Sequence, residues 1–430
     1  MLLFVLGISA VSAQDDLESV DPTGQTVVYW HQYQVDSAQG NTMDAIIADF
    51  NANNQWDITV EGSFQGSYGP LGELINAGIT SGELPNMVAG YVNAAASYDR
   101  DGVVVDLTPY MTSETWGFGS DHDLNESLLA ANTIDGRLLA FPNQSSVQVM
   151  TYNQDLLTEL GFDAPATTRD EFTEQACASA NSTGPNGEDR FGFPLTTDGS
   201  AFESWVHSAG GNIYHDGAFD FSSEPVISTL QFYQDLYNEG CAYIPAVRFG
   251  EQTDFNQGLT PFYVTSSAGF SFIIDGFNTA DYHPTWDLMT FPHSEGNESL
   301  NAFTPSIIVL QSTPEQDLAS WLFLKYLAQP EVGVQWSEGS GYFNPIPSSS
   351  EALQTGTFSM EGMGTYFNAA NDLLNRTDLD IFSSPPLAAY DTVRGLVSTA
   401  IADVTSNGMP AADVAATLQA AADQALADSM

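Results

Sequence analysis

From residue 26 the chain alternates short apolar runs with longer stretches whose apolar residues recur at helical spacing. Residues 26–30 (Thr-Val-Val-Tyr-Trp) form the kind of run a buried strand shows. Met43, Ile46, Ile47 and Phe50 then share one helical face, and the asparagine-rich stretch 51–54 marks its stop. A strand at 58–60, a helix at 71–80 and a strand at 85–90 follow. Strand, helix, strand, helix, strand in this order predicts a parallel sheet covered by helices. The pattern resumes with a strand at 147–152, a helix at 169–180 and a further strand near 191–193. Between the last two, 181–187 is a turn-rich loop by composition. Helices are predicted at 224–237, 316–327, 389–404 and 411–427. Two α/β blocks without a flexible linker between them predict two lobes joined by chain crossings, with a ligand in the cleft between. The expected division is 1–13 as a leader, 14–25 as a linker, 26–139 plus 300–342 as lobe 1, and 140–299 plus 343–430 as lobe 2.

At 430 residues, 43% hydrophobic and 12% aromatic, the chain has enough apolar material for two or three cores. Its charge is lopsided, with 55 Asp+Glu against 8 Lys+Arg and a formal net charge of −47. Lys325 is the sole lysine. Nucleic acid and anionic membrane surfaces are therefore excluded as partners, because both need a basic footprint. The first 14 residues, Met1 to Gln14, are an apolar run ending in Val11-Ser12-Ala13, with Asp15 and Asp16 immediately after. That reads as the apolar core and small-residue cleavage site of a secretory signal, although no Lys or Arg precedes it. It is shorter than the ~20 residues a bilayer span needs. No cysteine stands near the cleavage site, so no lipid anchor is expected and the mature protein should be periplasmic or extracellular. Cys177 and Cys241 suit an oxidising compartment. Bridged, they would close a loop of about 65 residues, worth on the order of 4 kcal/mol by the loop-entropy argument. Two buried free thiols would fit the sequence as well.

Catalytic signatures are missing. No Gly-rich phosphate loop, Gly-x-Ser-x-Gly elbow or His-Glu-x-x-His occurs. His207 and His215, eight apart, lack a third ligand nearby. Asp121, Asp123 and Asn125 imitate the start of a calcium loop, but Glu126 stands where glycine is required and Asn132 where the bidentate glutamate belongs. No cofactor or metal is expected. A paired-carboxylate glycan hydrolase or lyase is the remaining enzymatic alternative, and 55 acids offer too many pairs to single one out.

A series of motifs in order carries a resemblance. They are Val27-Val-Tyr-Trp-His31, Asp49-Phe-Asn51, Gly66-Ser-Tyr68, Gly82-Glu-Leu-Pro-Asn86 and Asp106-Leu-Thr-Pro109. There follow Asp135-Gly-Arg-Leu-Leu-Ala-Phe-Pro142, Tyr152-Asn-Gln-Asp155, Pro165-Ala-Thr-Thr-Arg-Asp-Glu-Phe172, Trp321-Leu-Phe-Leu-Lys-Tyr-Leu-Ala-Gln-Pro330 and Gly341-Tyr-Phe-Asn-Pro-Ile-Pro347. In their spacing the chain resembles the extracellular solute-binding proteins of ABC importers, in the group that holds carbohydrate and glycerol-3-phosphate receptors. The resemblance implies a two-lobed periplasmic-binding-protein architecture of type II, the Venus flytrap. It implies a monomeric, non-enzymatic receptor that closes on one solute and docks on the permease subunits of an ABC transporter. Several positions resemble the glycerol-3-phosphate receptors in particular. Tyr68 matches a ligand-contacting tyrosine, Ser145 and Ser146 a serine pair beside the strand crossing, and Ser266 and Ser267 a serine segment of the second lobe. Thr304 falls near a backbone-amide donor, Gly341-Tyr342 on a Gly-Tyr loop and Arg394 on a phosphate-holding arginine. Tyr91 replaces the acidic residue used after the third strand, and the paired tryptophans of the second lobe have no counterpart around Thr196–Ser200.

Residue chemistry bears on the same positions. On a helix turning 100° per residue, Tyr390, Val393, Val397, Ile401 and Val404 form one apolar stripe, and Arg394 lies about 80° off its centre. There the stem can rest on the core while the guanidinium reaches a phosphate or carboxylate, or pairs with Asp391 three positions earlier. With a Debye length of ~8 Å at physiological salt, the remote carboxylates do not forbid an anionic ligand. Trp30, Tyr68, Tyr91 and Tyr342 offer flat faces and, for the tyrosines, hydroxyls to a polyol or sugar. The expected solute is glycerol 3-phosphate or a glycerophosphodiester, with a neutral mono- or oligosaccharide of the maltose or trehalose type as the alternative.

Overall fold

The structure is a computed structural model, and the residues it describes are 17–119, 123–185, 187–247, 249–353 and 356–429. The expected leader at 1–13 and the Asp121 of the calcium-like run lie outside them. The elements that matter here run, in chain order, β1 (Thr26–His31), α1 (Ala38–Asn53), β2 (Thr59–Phe64), α2 (Tyr68–Ser81), β3 (Met87–Gly90), α3 (Val92–Arg100) and β4 (Phe141–Pro142). The chain continues as β5 (Ser146–Asn153), α4 (Arg169–Ala180), α5 (Gly199–Ser208), α6 (Glu224–Asn238), β6 (Phe262–Ser266), β7 (Trp286–Met289) and β8 (Ser299–Phe303). It ends with β9 (Ser306–Val309), α7 (Pro314–Leu327), β10 (Asp380–Phe382), α8 (Tyr390–Val404) and α9 (Ala411–Ser429). Two compact units result. Unit 1 holds the chain through Asn143, Pro305–Trp336 and Asn344–Ala352, and unit 2 holds Gln144–Thr304, Ser337–Phe343 and Leu353–Met430.

Unit 1 is built on a five-stranded sheet ordered β2-β1-β3-β9-β4. β1 runs parallel to β2 and β3, while β9 is antiparallel to β3 and β4. The local reasons match the sequence pattern. Ser37 caps α1 by accepting from the Gly40 amide, and Met43, Ile46, Ile47 and Phe50 are its buried stripe. The asparagines that stop the helix also fasten the next strand. Asn54 accepts from the Ile58 amide at 2.9 Å, and Asn51 exchanges two bonds with the Val60 backbone at 2.8 and 3.0 Å. Asp135 and Gly136, both at positive φ, form the two-residue turn between strands Thr133–Ile134 and Arg137–Leu138. The one lysine is structural. Lys325 Nζ donates to the carbonyls of Trp116 and Gly117 at 3.2 and 2.5 Å, beside the buried Trp321. Of the expected linker, residues 17–25 are tied down, since Glu18 accepts from the Ser113 hydroxyl and the Glu114 and Thr115 amides.

Unit 2 is centred on β5, buried along nearly its whole length. Its sheet is ordered β6-β5-β8-β10, and β7 also pairs with β5. Here strand direction departs from the expectation. β5 is antiparallel to β6, β7 and β8, and only β8 and β10 run parallel. Apolar runs reveal that a strand is buried but not which way its neighbours point, and that is where the expectation of a mostly parallel sheet in each lobe failed. The α/β class with two lobes stands. The core packs Phe172, Phe193, Phe202, Trp205, Phe262 and Phe291 beneath α4, α5, α6, α8 and α9. Arg169 lies within it, its guanidinium 5.4 Å from the Trp205 ring and 5.0 Å from Phe232, donating to the Trp205 carbonyl and to Thr229 Oγ1. Cys177 and Cys241 form a disulfide, so of the two readings left open the bridge is the one realised. Among the described residues no helix is long and apolar enough to cross a membrane.

Candidate functional site

One end of the unit 2 sheet collects most of the sequence-predicted residues. Ser146 opens β5 opposite Phe303, so Thr304 follows at the neighbouring strand's end, half-buried. Ser145 exchanges backbone bonds with Phe343 at 2.9 and 2.8 Å, which places the Gly341-Tyr342 loop alongside it. Gly341 has φ +79°, a left-handed conformation that favours glycine in the turn before Tyr342, whose side chain is buried. Ser266 ends β6, and its hydroxyl accepts from the Ala268 amide at 3.2 Å. Ser267 is fully buried and accepts from the Val147 amide at 3.2 Å. Those bonds hold the β5 and β6 ends together, so Ser267 is positioned as a strut and its neighbours Ser145, Ser266 and Thr304 are the more accessible hydroxyls.

Arg394 joins this region through α5. Its predicted stripe is present, with Tyr390, Val393, Val397, Ile401 and Val404 buried and Arg394 at the edge with 32% of its side chain exposed. The guanidinium donates to Asp198 Oδ2 at 2.7 Å and to the Ser200 hydroxyl. Asp198 is the N-cap of α5, its Oδ1 accepting from the Ser200 and Ala201 amides at 2.9 and 3.2 Å. Gly199 makes the approach of α8 feasible, since a Cβ there would lie 3.2 Å from Arg394 Cγ. One turn along α5, Glu203 is almost wholly buried and accepts from the Tyr390 hydroxyl at 2.6 Å and Ser384 at 3.2 Å. Burial pushes its carboxyl up to about 7, against the opposing pull of those two hydroxyls and of Arg394. The next residue, Ser204, donates to Gln148 Oε1 at 2.7 Å and so ties α5 to the central strand β5. Asp198, Ser200, Glu203, Gln148 and Ser384 escaped the sequence reading. The Asp-Gly-Ser at 198–200 is a recognisable helix start, but nothing local ties it to residue 394.

In unit 1 the aromatic candidates gather at the carboxyl ends of the parallel strands. Trp30, half-buried on β1, sits in register with Val88 of β3, and Tyr91 follows directly after β3 as the residue preceding α3. Tyr68 opens α2 after Gly66, which has φ +95°. The Tyr68 and Tyr91 rings lie 4.9 Å apart. Next to Trp30, His31 is buried between the Tyr29 and Tyr33 rings, and among the described residues its ring nitrogens have no hydrogen-bond partner. Burial lowers its pKa to about 4, so it stays neutral. Carboxyl ends of parallel strands are where α/β sheets take ligands.

A cavity of about 570 Å³ opens in unit 2 toward the carboxyl end of α5, lined by His207, His215, Asp220, Asn297 and Asp380 among others. None of the predicted residues lines it. His207 and His215 each face a carboxylate, Asp380 at 3.5 Å and Asp220 at 3.3 Å, and do not form a shared set of metal ligands.

Comparison with known proteins gives the chain a family match and a likeness of fold. A family described as bacterial extracellular solute-binding protein matches residues 45–362. The sn-glycerol-3-phosphate-binding periplasmic protein UgpB of Yersinia pseudotuberculosis is 21% identical over 402 residues, covering 86% of this chain and 85% of the relative. The protein of the same name from Agrobacterium fabrum is 26% identical over 156 residues, and there the match spans only 34% of the relative's length. In fold the chain is similar to the GacH receptor of Streptomyces glaucescens, solved unliganded and with acarbose, with a TM-score of 0.78 at 18% identity over 95% of this chain and 100% of that one. It is also similar to the maltose/maltodextrin-binding domain MalE of Bdellovibrio bacteriovorus bound to maltotriose, with a TM-score of 0.76 at 16% identity over 94% and 100%.

Proposed function

Because the chain belongs to the bacterial extracellular solute-binding proteins, we propose that it serves an ABC importer, capturing one small polyhydroxylated solute and handing it unchanged to the permease subunits. The N-terminal segment 1–13 would export it to the periplasm or exterior. The observation that carries the solute class is the partly exposed Arg394–Asp198 pair on unit 2, with the buried Ser200 hydroxyl accepting from the same guanidinium. Guanidinium, carboxylate and hydroxyl groups together donate to and accept from a polyol.

Two solutes fit this description. The relatives' names support glycerol 3-phosphate, and in that reading Arg394 would meet the phosphate. The 2.7 Å pair between Arg394 and Asp198 favours a neutral sugar, because the guanidinium already has a carboxylate partner. For the enzymatic alternative, burial raises two described carboxyls, Glu203 to about 7 and Asp317 to about 6. Glu203 is covered by Tyr390 and Ser384 and has no exposed face to offer a substrate, and Asp317 accepts from the Ser312 amide at the start of α7. A thermal-shift screen with glycerol 3-phosphate, glycerophosphocholine, maltose and trehalose tests the proposal. At least one compound should raise Tm and be recovered intact at one equivalent per chain. Conversion of the bound compound into product would overturn the receptor reading.

A further inference from the structure

The amino end of α5 and the Arg394 guanidinium together have the composition of an anion site: two backbone amides and a planar cation converging on one position. That position is filled from within the chain. Asp198 Oδ1 accepts from the Ser200 and Ala201 amides, and Oδ2 takes the Arg394 N–H at 2.7 Å, so one carboxylate uses the donors a phosphate would need. Glu203 follows one turn later, its carboxyl held against Tyr390 and Ser384. Arg394 is thus matched by Asp198 before Glu203 is considered, and the corner offers an incoming dianion no net positive charge. The remaining charge of the chain, −47, adds nothing in a phosphate's favour.

We infer that Asp198 is a specificity-determining residue, a resident anion that excludes phosphate-bearing solutes and leaves this corner to neutral polyhydroxyl compounds. The inference rests on the reading of Arg394 and Asp198 as part of the solute site. Both side chains keep exposure, 44% for Asp198 and 32% for Arg394. A carboxylate has about four acceptor positions and a guanidinium five N–H donors. Side by side, the acceptor and the donor suit two adjacent hydroxyls of a sugar, one donating to Asp198 and the other accepting from Arg394.

The test is calorimetric titration of the whole chain with glycerol 3-phosphate and, separately, inorganic phosphate. Asp198→Ser keeps an N-cap hydroxyl for α5 while removing the charge, and Asp198→Asn is the second variant should the first be poorly folded. Either variant should bind one or both anions at least tenfold more tightly than the unaltered protein, and adding Arg394→Gln should erase the gain. Equal or tighter anion binding by the unaltered protein would overturn the inference, as would a gain that survives Arg394→Gln. This readout needs no knowledge of the natural solute. Failure of every compound in the thermal-shift screen would count against the receptor proposal and leave the anion comparison to be judged on its own numbers.

Discussion

Glu203 makes the pH response of unit 2 calculable. Its carboxyl ordinarily titrates near 4.5, and in the folded protein burial raises it to about 7. A raised acid pKa means that the folded state holds the proton after the unfolded chain has released it. Between those two values the unfolded chain binds fewer protons, so stability falls as pH rises. Below about 4.5 Glu203 carries no penalty, and above about 7 it carries the whole of it. At 1.36 kcal/mol per pH unit, the gap from 4.5 to about 7 corresponds to about 3 kcal/mol. Glu203→Gln preserves an acceptor for Tyr390 and Ser384 and removes the titration. Urea unfolding of both proteins from pH 4.5 to 8 should show the variant gaining about 3 kcal/mol relative to the unaltered protein across that range. For a domain of 150–250 residues this is roughly 6–12 °C in Tm. Parallel stability curves for the two proteins would refute the assignment of a buried, proton-retaining carboxyl at residue 203.

Two further outcomes follow from named contacts. Reducing the Cys177–Cys241 bridge, or replacing Cys177 by Ser, removes a crosslink between residues 64 apart and should cost on the order of 4 kcal/mol, read as a lowered urea midpoint. An unchanged midpoint would mean the loop is already constrained in the unfolded chain. Gly341→Ala forces a side chain onto the Met363 methyl at φ +79° and should lower stability by more than 1 kcal/mol. The same change should weaken binding of whichever solute the thermal-shift screen identifies by displacing Tyr342, and retention of full affinity would remove Tyr342 from the solute site.

Much of the architecture was legible because it rests on local rules. The stripe Met43, Ile46, Ile47, Phe50 and the asparagines after it specify a helix and its end whatever they pack against. The stripe from Tyr390 to Val404 likewise put Arg394 at a helix edge, where it is found. Strand direction in unit 2 was not legible, since a buried run such as β5 reads identically beside parallel or antiparallel neighbours. The cysteines also left two readings open, because their spacing does not determine whether the sulfurs meet.

The chemical character of the candidate site lies at the far end of that scale. By itself the sequence established alternating elements, a solute-binding family likeness and an arginine worth attention. It contained no sign that the partner of Arg394 would be Asp198, 196 positions earlier, or that Tyr390 would cover Glu203 across 187. With 55 acids in the chain, every one is an eligible partner for a guanidinium until folding places one of them at 2.7 Å. Helix periodicity is written within a few residues, whereas an ion pair and the burial of a carboxyl arise only when α5 and α8 pack. The tertiary structure therefore decided what the arginine does.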